Sequence, residues 1–146
     1  MNSAENWIKG LELAPHPEGG WFRETYRSGE SIRQDALPDR FGGDRAFSTA
    51  IYYLLRRGEF SALHRIASDE VWHVYAGGGL EVVCLHPEGE VERLRLGSDV
   101  AGGERPQAVV KAGGWFGAGG VGGGCCLAGC TVGPGFDFAD FVMGDR

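Results

Sequence analysis

A histidine and a glutamate stand close together between Gly58 and Gly77, and their types and spacing suit proton transfer. The segment reads GEFSALHRIASDEVWHVYAG, with His64 six residues before Glu70. Two short strands joined by a tight corner would place these two side chains side by side inside a barrel. A polar pair in an apolar interior is costly unless it is used or fully hydrogen-bonded. The spacing therefore predicts a site with His64 and Glu70 as its catalytic residues.

An imidazole beside a carboxyl group can act as a general acid or base, because the unperturbed pKa of histidine lies near neutral pH. In this interpretation Glu70 orients His64 and stabilises its charged form. The alternative is structural, with the two side chains satisfying each other's hydrogen bonds inside the barrel. The sequence leaves both alternatives open.

Further side chains are predicted to contact a ligand. Trp72 shares the strand parity of Glu70, so it would form an inward stacking wall or a part of the core. Glu18, in the segment PHPEGG, would be an acid at the barrel mouth, although such a segment also forms a rigid turn. Tyr26 is a further candidate for contact with the ligand. The other tyrosine candidates are Tyr52, Tyr53 and Tyr75.

His73 follows Glu70 by three residues, so a flat strand turns its side chain to the opposite face. A β-bulge would bring the imidazole inward as a ligand contact, and bulges are common near barrel sites. Without a bulge, His73 and Tyr75 face outward, towards a partner subunit.

The rest of the chain reads as short strands separated by turns. Residues 21–28 alternate aromatic and polar side chains, and residues 46–55 are rich in β-branched and aromatic ones. Further short strands are expected over 61–66, 70–76, 80–85, 91–96, 107–111 and 124–132. A single short helix is expected from Ser3 to near Gly10. The pattern predicts one all-β domain over residues 1–146, either a sandwich or a barrel.

Residues 113–124 are mostly glycine, and no Gly-Lys-Ser/Thr follows as a phosphate-binding loop requires. We expect a mobile hairpin tip here, or alternatively a lid over a pocket.

Composition and charge narrow the function classes. The net charge is −6 and no basic cluster forms, which argues against a nucleic-acid partner. No apolar run is long enough to span a membrane, and no secretory signal is visible. The four cysteines lack zinc-site spacing and are expected to be reduced, packed thiols. A cytoplasmic protein is the resulting expectation.

Several separated motifs resemble the cupin superfamily. The segment from Gly58 to Gly77 is similar to the first cupin motif, with His64 and Glu70 matching and Ile66 where a second histidine would stand. Residues 111–116 are similar to the second motif, with Phe116 in place of a further histidine. The segments HPEGGWF (16–22), STAIYYLL (48–55) and GCTVGPGFDF (129–138) resemble an uncharacterised cupin branch, a domain of unknown function.

This resemblance implies a double-stranded β-helix, that is, a small jelly-roll barrel, with a small-molecule pocket and usually a homodimer. Cupin metal sites commonly use three histidines and a glutamate, and only His64 and Glu70 are retained here. No cofactor is therefore expected. If a divalent metal does bind, His64, Glu70 and His73 would be its ligands.

Some cupins, the sugar-nucleotide epimerases, work without metal and use an inward histidine as the base. By this resemblance we expect a small polar metabolite as ligand, and a metal-independent epimerase or isomerase acting on a sugar or sugar nucleotide. The alternatives are a non-catalytic metabolite-binding module and a structural homodimer with a vestigial site.

Overall fold

The computed structural model describes residues 3–120 and 124–144. One α-helix, α1 (Ser3–Gly10), precedes the strands, and short 3-10 turns span Gln34–Ala36 and Phe138–Asp140. The strands are β1 (Ala14–Pro15), β2 (Trp21–Arg27), β3 (Ser31–Ile32), β4 (Arg45–Ala46), β5 (Thr49–Leu55), β6 (Phe60–Arg65), β7 (Asp69–Gly77), β8 (Leu80–Leu85), β9 (Val91–Leu96), β10 (Gln107–Val110), β11 (Trp115–Gly120), β12 (Cys126–Gly133) and β13 (Val142–Met143).

Two antiparallel sheets form the barrel. One has the strand order β1-β2-β5-β12-β7-β10 and the other the order β13-β6-β11-β8-β9. Their inner faces share one core, in which Tyr53 and Trp72 from the first sheet pack with Val82 and Phe116 from the second. This arrangement confirms the predicted all-β jelly roll with a short N-terminal helix.

Helix α1 covers part of the outer face of the larger sheet. Its apolar residues Ala4, Trp7 and Ile8 recur at helical spacing and pack against Leu54 and Leu127. In the described part of the chain, no helix combines the length and apolar character needed to cross a membrane.

The glycine-rich segment differs from the sequence expectation, because Trp115–Gly120 forms strand β11 rather than a hairpin tip. β11 is a central strand that pairs with both β6 and β8. A Cβ atom at Gly117 would lie 2.9 Å from the carbonyl oxygen of Ser61, so this glycine allows a close approach of backbones. Residues 121–123 of the predicted tip lie outside the described residues.

Candidate functional site

A cavity lies inside the barrel, and water centres can occupy about 60 Å³ of it. One water molecule needs roughly 10–15 Å³ on this measure, so the space suits about five water molecules or a compact ligand. The cavity wall is mainly apolar and aromatic. Charged or readily charged side chains interrupt it, namely His16, Glu18, Glu24, His64 and Glu70.

His64 and Glu18 are in direct contact within this cavity. Nε2 of His64 lies 3.0 Å from Oε1 of Glu18, and both side chains are buried. Glu18 lies in the turn between β1 and β2. The backbone N–H of Ala62 donates a 2.7 Å hydrogen bond to the Glu18 carbonyl oxygen and so holds this turn in place. The contact therefore joins this turn to strand β6.

The two nitrogens of His64 both face oxygen atoms. Nδ1 donates to the carbonyl oxygen of Ala62 at 2.8 Å, because a carbonyl can only accept. Nε2 faces the carboxyl group of Glu18. One proton therefore lies between Nε2 and Glu18, carried either by the imidazole as an ion pair or by the carboxyl group as a neutral pair.

The environment favours the charged imidazole. Burial acts to lower the pKa of His64, but the hydrogen bond and charge of Glu18 outweigh it. The carbonyl of Ala62 and the charge of Glu70 add to this effect, and the pKa of His64 is raised overall.

Glu70 is another carboxyl group of the cavity and is held differently from Glu18. Its Oε1 accepts a 3.1 Å hydrogen bond from Nε1 of Trp72. Burial, with a contribution from the charge of Glu18, raises the pKa of Glu70 to about 7. Glu70 is therefore substantially protonated near neutral pH and can donate a proton, in contrast to an ordinary surface glutamate.

His16 lines the same cavity but accepts rather than donates at Nδ1. The backbone N–H of Glu18 donates to this nitrogen at 3.1 Å, so the proton of the neutral imidazole lies on Nε2. Burial is the largest effect on the pKa of His16 and lowers it. The ring packs at 4.4 Å, centroid to centroid, against Phe22.

Aromatic rings enclose His64. The ring centroid of Phe116 lies 4.2 Å from that of His64, and the ring of Phe141 stacks on the imidazole at 5.3 Å. Phe138 packs against Phe141 and also lines the cavity, although it is 53% exposed. We call Phe138 and Phe141 the aromatic cover, because both line the cavity and Phe138 also reaches the surface.

Tyr53 lies in the cavity wall, whereas Tyr52 and Tyr75 do not line this cavity and pack edge to face on each other. The Tyr53 hydroxyl donates to the carbonyl oxygen of Gly19 and so fixes the turn that carries Glu18. Burial raises the pKa of Tyr53 far above its usual range, so this hydroxyl stays protonated.

Four of the predicted residues line the cavity together: His64, Glu70, Trp72 and Glu18. The direct partner of His64 differs from the sequence expectation. His64 forms its ion pair with Glu18. Among the residues that the structure describes, no ion pair joins His64 to Glu70. Trp72 is only 2% exposed and serves as a hydrogen-bond donor to Glu70 as well as a wall.

The placement of Tyr26 requires a correction, because it is 55% exposed and does not line this cavity. Simple alternation in β2 would turn Phe22, Glu24 and Tyr26 to the same face. The pairing of β2 with β5 shifts between Glu24 and Tyr26, so Tyr26 lies opposite Ala50 on the outer face. This β-bulge removes Tyr26 from the site.

His73 also lies away from the cavity. Its Nε2 is 3.1 Å from the Thr131 hydroxyl and its Nδ1 is 3.4 Å from the side-chain nitrogen of Gln107. Strand β7 does contain a register irregularity, but this falls between Val74 and Ala76, after His73. The imidazole therefore keeps the outward face that strand parity gives it.

The side chains present do not fit a cupin metal site. Ile66 and Phe116, both in or beside the cavity, have no lone pair to offer, and His73 faces the other side of the sheet. Both nitrogens of His64 are engaged in hydrogen bonds. Among the described residues, no three His, Cys, Asp or Glu side chains are arranged to hold a metal ion.

Sequence reasoning did not assign His16 and Phe141 to the site. His16 is adjacent to a proline and near two glycines, a context that indicates a turn, and Phe141 follows the bend after β12. The HPEGG segment is the sequence feature that could have indicated His16, since a histidine and an acid two residues apart on a rigid turn can both point inward.

Comparison with known proteins gives one family and several relatives. A family model described as "Cupin superfamily (DUF985)" matches residues 5–144. The uncharacterised protein YML079W of Saccharomyces cerevisiae is 31% identical over 117 residues, which are 77% of this chain and 58% of that protein. This chain thus spans little more than half the length of its curated relative.

Two solved structures are similar along most of their length. Protein SO0799 from Shewanella oneidensis is 42% identical with a TM-score of 0.88, covering 99% of this chain and 86% of that one. A hypothetical protein from Leishmania major is 35% identical with a TM-score of 0.83, covering 94% and 85% respectively. Neither description states an activity.

Proposed function

This chain belongs to the cupin superfamily (DUF985), and we propose that its barrel cavity binds a compact polar metabolite and catalyses proton transfer on it. The activity would be that of a metal-independent isomerase or epimerase. The observation that carries the proposal is the buried 3.0 Å contact between Nε2 of His64 and Oε1 of Glu18, in one cavity with Glu70.

The carboxyl groups have different environments, which assigns them different roles. Glu18 is beside a protonated imidazole and acts as the base that takes a proton from a carbon next to a carbonyl. Glu70, whose pKa is raised to about 7, gives its proton to the carbonyl oxygen. The C–H electron pair forms the enediol double bond, and the carbonyl π pair takes the proton from Glu70. Glu18 then returns its proton to the neighbouring carbon, while the hydroxyl on the first carbon gives its proton to Glu70 and becomes the carbonyl of the isomerised product.

The volume of the cavity limits the substrate. The space open to water centres is about 60 Å³, which accommodates a fragment of a few heavy atoms. A complete sugar ring, or the sugar of a sugar nucleotide, requires the aromatic cover of Phe138 and Phe141 to move aside. A compact hydroxyaldehyde or hydroxyketone is the substrate class that fits a cavity of this volume.

Solvent deuterium exchange tests this proposal without knowledge of the natural substrate. Glyceraldehyde and dihydroxyacetone are incubated with the protein in D2O, and exchange at the carbon next to the carbonyl is followed by NMR. The protein should accelerate exchange, Glu18→Gln and His64→Gln should abolish the acceleration, and Tyr26→Phe should retain it. Folding of each variant is checked by circular dichroism. The same rate with and without protein would overturn the proposal for this substrate class.

A non-catalytic binding module is the second candidate, favoured by the completeness of the internal hydrogen bonds. In the described part of the chain, every fully buried side-chain nitrogen or oxygen has a partner. A ligand that raises the melting temperature without any deuterium exchange would support this alternative, because binding to the folded state alone stabilises it.

We also propose a homodimer formed through the outer face of the larger sheet. Tyr75 and Val109 on this face are 55% and 46% exposed, and His73 and Gln107 lie beside them. A reducing, cytoplasmic location is proposed as well. It is supported by four cysteines that are free thiols, three of them buried.

A further inference from the structure

A second depression lies on the surface, on the other side of the turn that carries the aromatic cover. Ala139, Asp140 and Val142 border it, whereas Phe138 and Phe141 of the same segment line the barrel cavity. Water centres can occupy about 460 Å³ of this groove, far more than the barrel cavity. Three arginines line it, and we call it the arginine groove: Arg40, Arg45 and Arg65.

Two of these arginines are held against aromatic rings. Cζ of Arg65 lies 4.8 Å from the ring centroid of Trp115, and Cζ of Arg40 lies 5.0 Å from that of Phe41. Nε of Arg40 also donates a 2.7 Å hydrogen bond to the carbonyl oxygen of Ala67. These contacts restrict the guanidinium groups and leave further N–H groups on each for a ligand.

The charges of these two arginines are not balanced by a carboxylate. Arg45 makes a two-point ion pair with Asp140, at 2.8 and 2.7 Å, and both side chains are buried. Within the described ranges, neither Arg40 nor Arg65 has an acidic side chain at ion-pairing distance. The groove therefore concentrates positive charge on a chain whose net charge is −6.

The remaining lining makes the groove selective for an acceptor-rich anion. Asp140, the one carboxylate among its lining residues, is already bound to Arg45. Gly42, Ala67 and Gly113 contribute little side-chain bulk, so a ligand can approach closely. Each of these two guanidinium groups has the planar set of N–H donors with which arginine binds phosphate oxygens in a bidentate manner.

We propose that the arginine groove binds the phosphate group of a small phosphorylated metabolite. Arg40 and Arg65 contact the phosphate, and the volume beyond them accommodates the organic part. This binding is independent of the proton transfer proposed for the barrel cavity, because no cavity side chain other than the wall residue Ile66 is shared with the groove.

Calorimetric titration of the full chain with pyrophosphate and with glycerol 3-phosphate tests the proposal, with glycerol as the uncharged control. Saturable binding of both anions is expected, weakening as salt is added. Arg40→Ser and Arg65→Ser should each weaken binding about tenfold or more. Arg57→Ser removes an exposed arginine outside the groove and should leave the affinity unchanged.

Three results would overturn the proposal: no saturable heat at millimolar anion, an equal loss of affinity in Arg57→Ser, or phosphate binding only when presented on anionic lipid vesicles. His64→Gln should bind pyrophosphate as the unaltered protein does. A failure of the cavity chemistry is thereby distinguished from a failure of the groove.

Discussion

Glu18 reaches Nε2 of His64 at 3.0 Å, while the Ala62 carbonyl occupies Nδ1 of the same ring at 2.8 Å. The imidazole is thus held at both nitrogens, by groups of different strength. The Ala62 contact fixes the ring orientation, and the Glu18 contact determines its charge. The properties of the site consequently depend on a residue of the turn before β2 as much as on the sheet.

Glu18→Gln tests this dependence directly. Without the charge of Glu18, the pKa of His64 should fall from its raised value, because burial then prevails. NMR titration of the His64 ring protons measures the change, and Glu88→Gln on the surface is the matched control. An unchanged His64 pKa in Glu18→Gln would contradict the assigned pairing.

The difference in stability between the unaltered protein and Glu18→Gln should depend on pH. Since the folded pKa of His64 lies above its ordinary 6.5, the stabilisation is fully present below about pH 6.5 and is lost as pH rises through the folded pKa. The stability advantage of the unaltered protein over Glu18→Gln should shrink across that window.

Glu70→Gln should stabilise the protein at alkaline pH. The folded pKa of about 7 exceeds the unfolded value of 4.5, so the folded state binds more protons and loses stability as pH rises between them. The amide is neutral and its oxygen can still accept from Trp72. Urea unfolding at pH 5 and pH 8 should reveal a gain on the order of 3 kcal/mol at the higher pH only.

Gly19→Ala should disturb the turn that carries Glu18. Gly19 has φ +110°, and a Cβ atom there would collide with the carbonyl oxygen of Phe60. Gly89 is the matched control, because its φ is +93° but no heavy atom lies near an added Cβ. Gly89→Ala should cost about 1–2 kcal/mol from backbone strain alone. Gly19→Ala should cost clearly more in urea unfolding, and equal costs would contradict the collision.

The buried ion pair between Arg45 and Asp140 anchors the turn that carries the aromatic cover. Asp140→Asn removes the closer countercharge of the buried Arg45, leaving Asp137 at 4.0 Å, and should cost about 3 kcal/mol. Asp35→Asn removes the charge of an exposed pair with Arg33 and should cost less than about 1 kcal/mol. Chemical denaturation compares the two variants, and a cost near zero for Asp140→Asn would argue against the anchor.

The proposed dimer is tested by Val109→Glu. Val109 lies on the outer face of β10 and is 46% exposed, so a charge there should repel the same face of a second copy. Light scattering coupled to size exclusion should show a dimer for the unaltered chain and a monomer for the variant. Val91→Glu, on the other sheet and 54% exposed, should remain dimeric.

The strands could largely be predicted, because alternation of residue type reports which face is buried. β11 was the exception. Its glycines indicated a flexible tip, whereas Gly117 is required by the close backbone of Ser61, a tertiary contact that local sequence does not encode. The bulge in β2 likewise reversed the face of Tyr26, since bulges depend on pairing with another strand.

The sequence predicted four of the residues that line the cavity, but not which of them pair with each other. His64 and Glu70 are near in sequence, so strand geometry could place both inside one barrel. Glu18 is distant from His64 in sequence, and no periodicity links a turn to a later strand. Only the folded arrangement, in which Ala62 binds the Glu18 carbonyl, brings the acid to the imidazole.

The aromatic cover has a kinetic consequence. Because Phe141 stacks on His64 and Phe138 packs against Phe141, we expect a ligand larger than the cavity to enter only after these rings move. The observed rate of association should therefore level off at high ligand concentration, at the opening rate of the segment that carries them. Diffusion would then limit the rate of binding only at low ligand concentration.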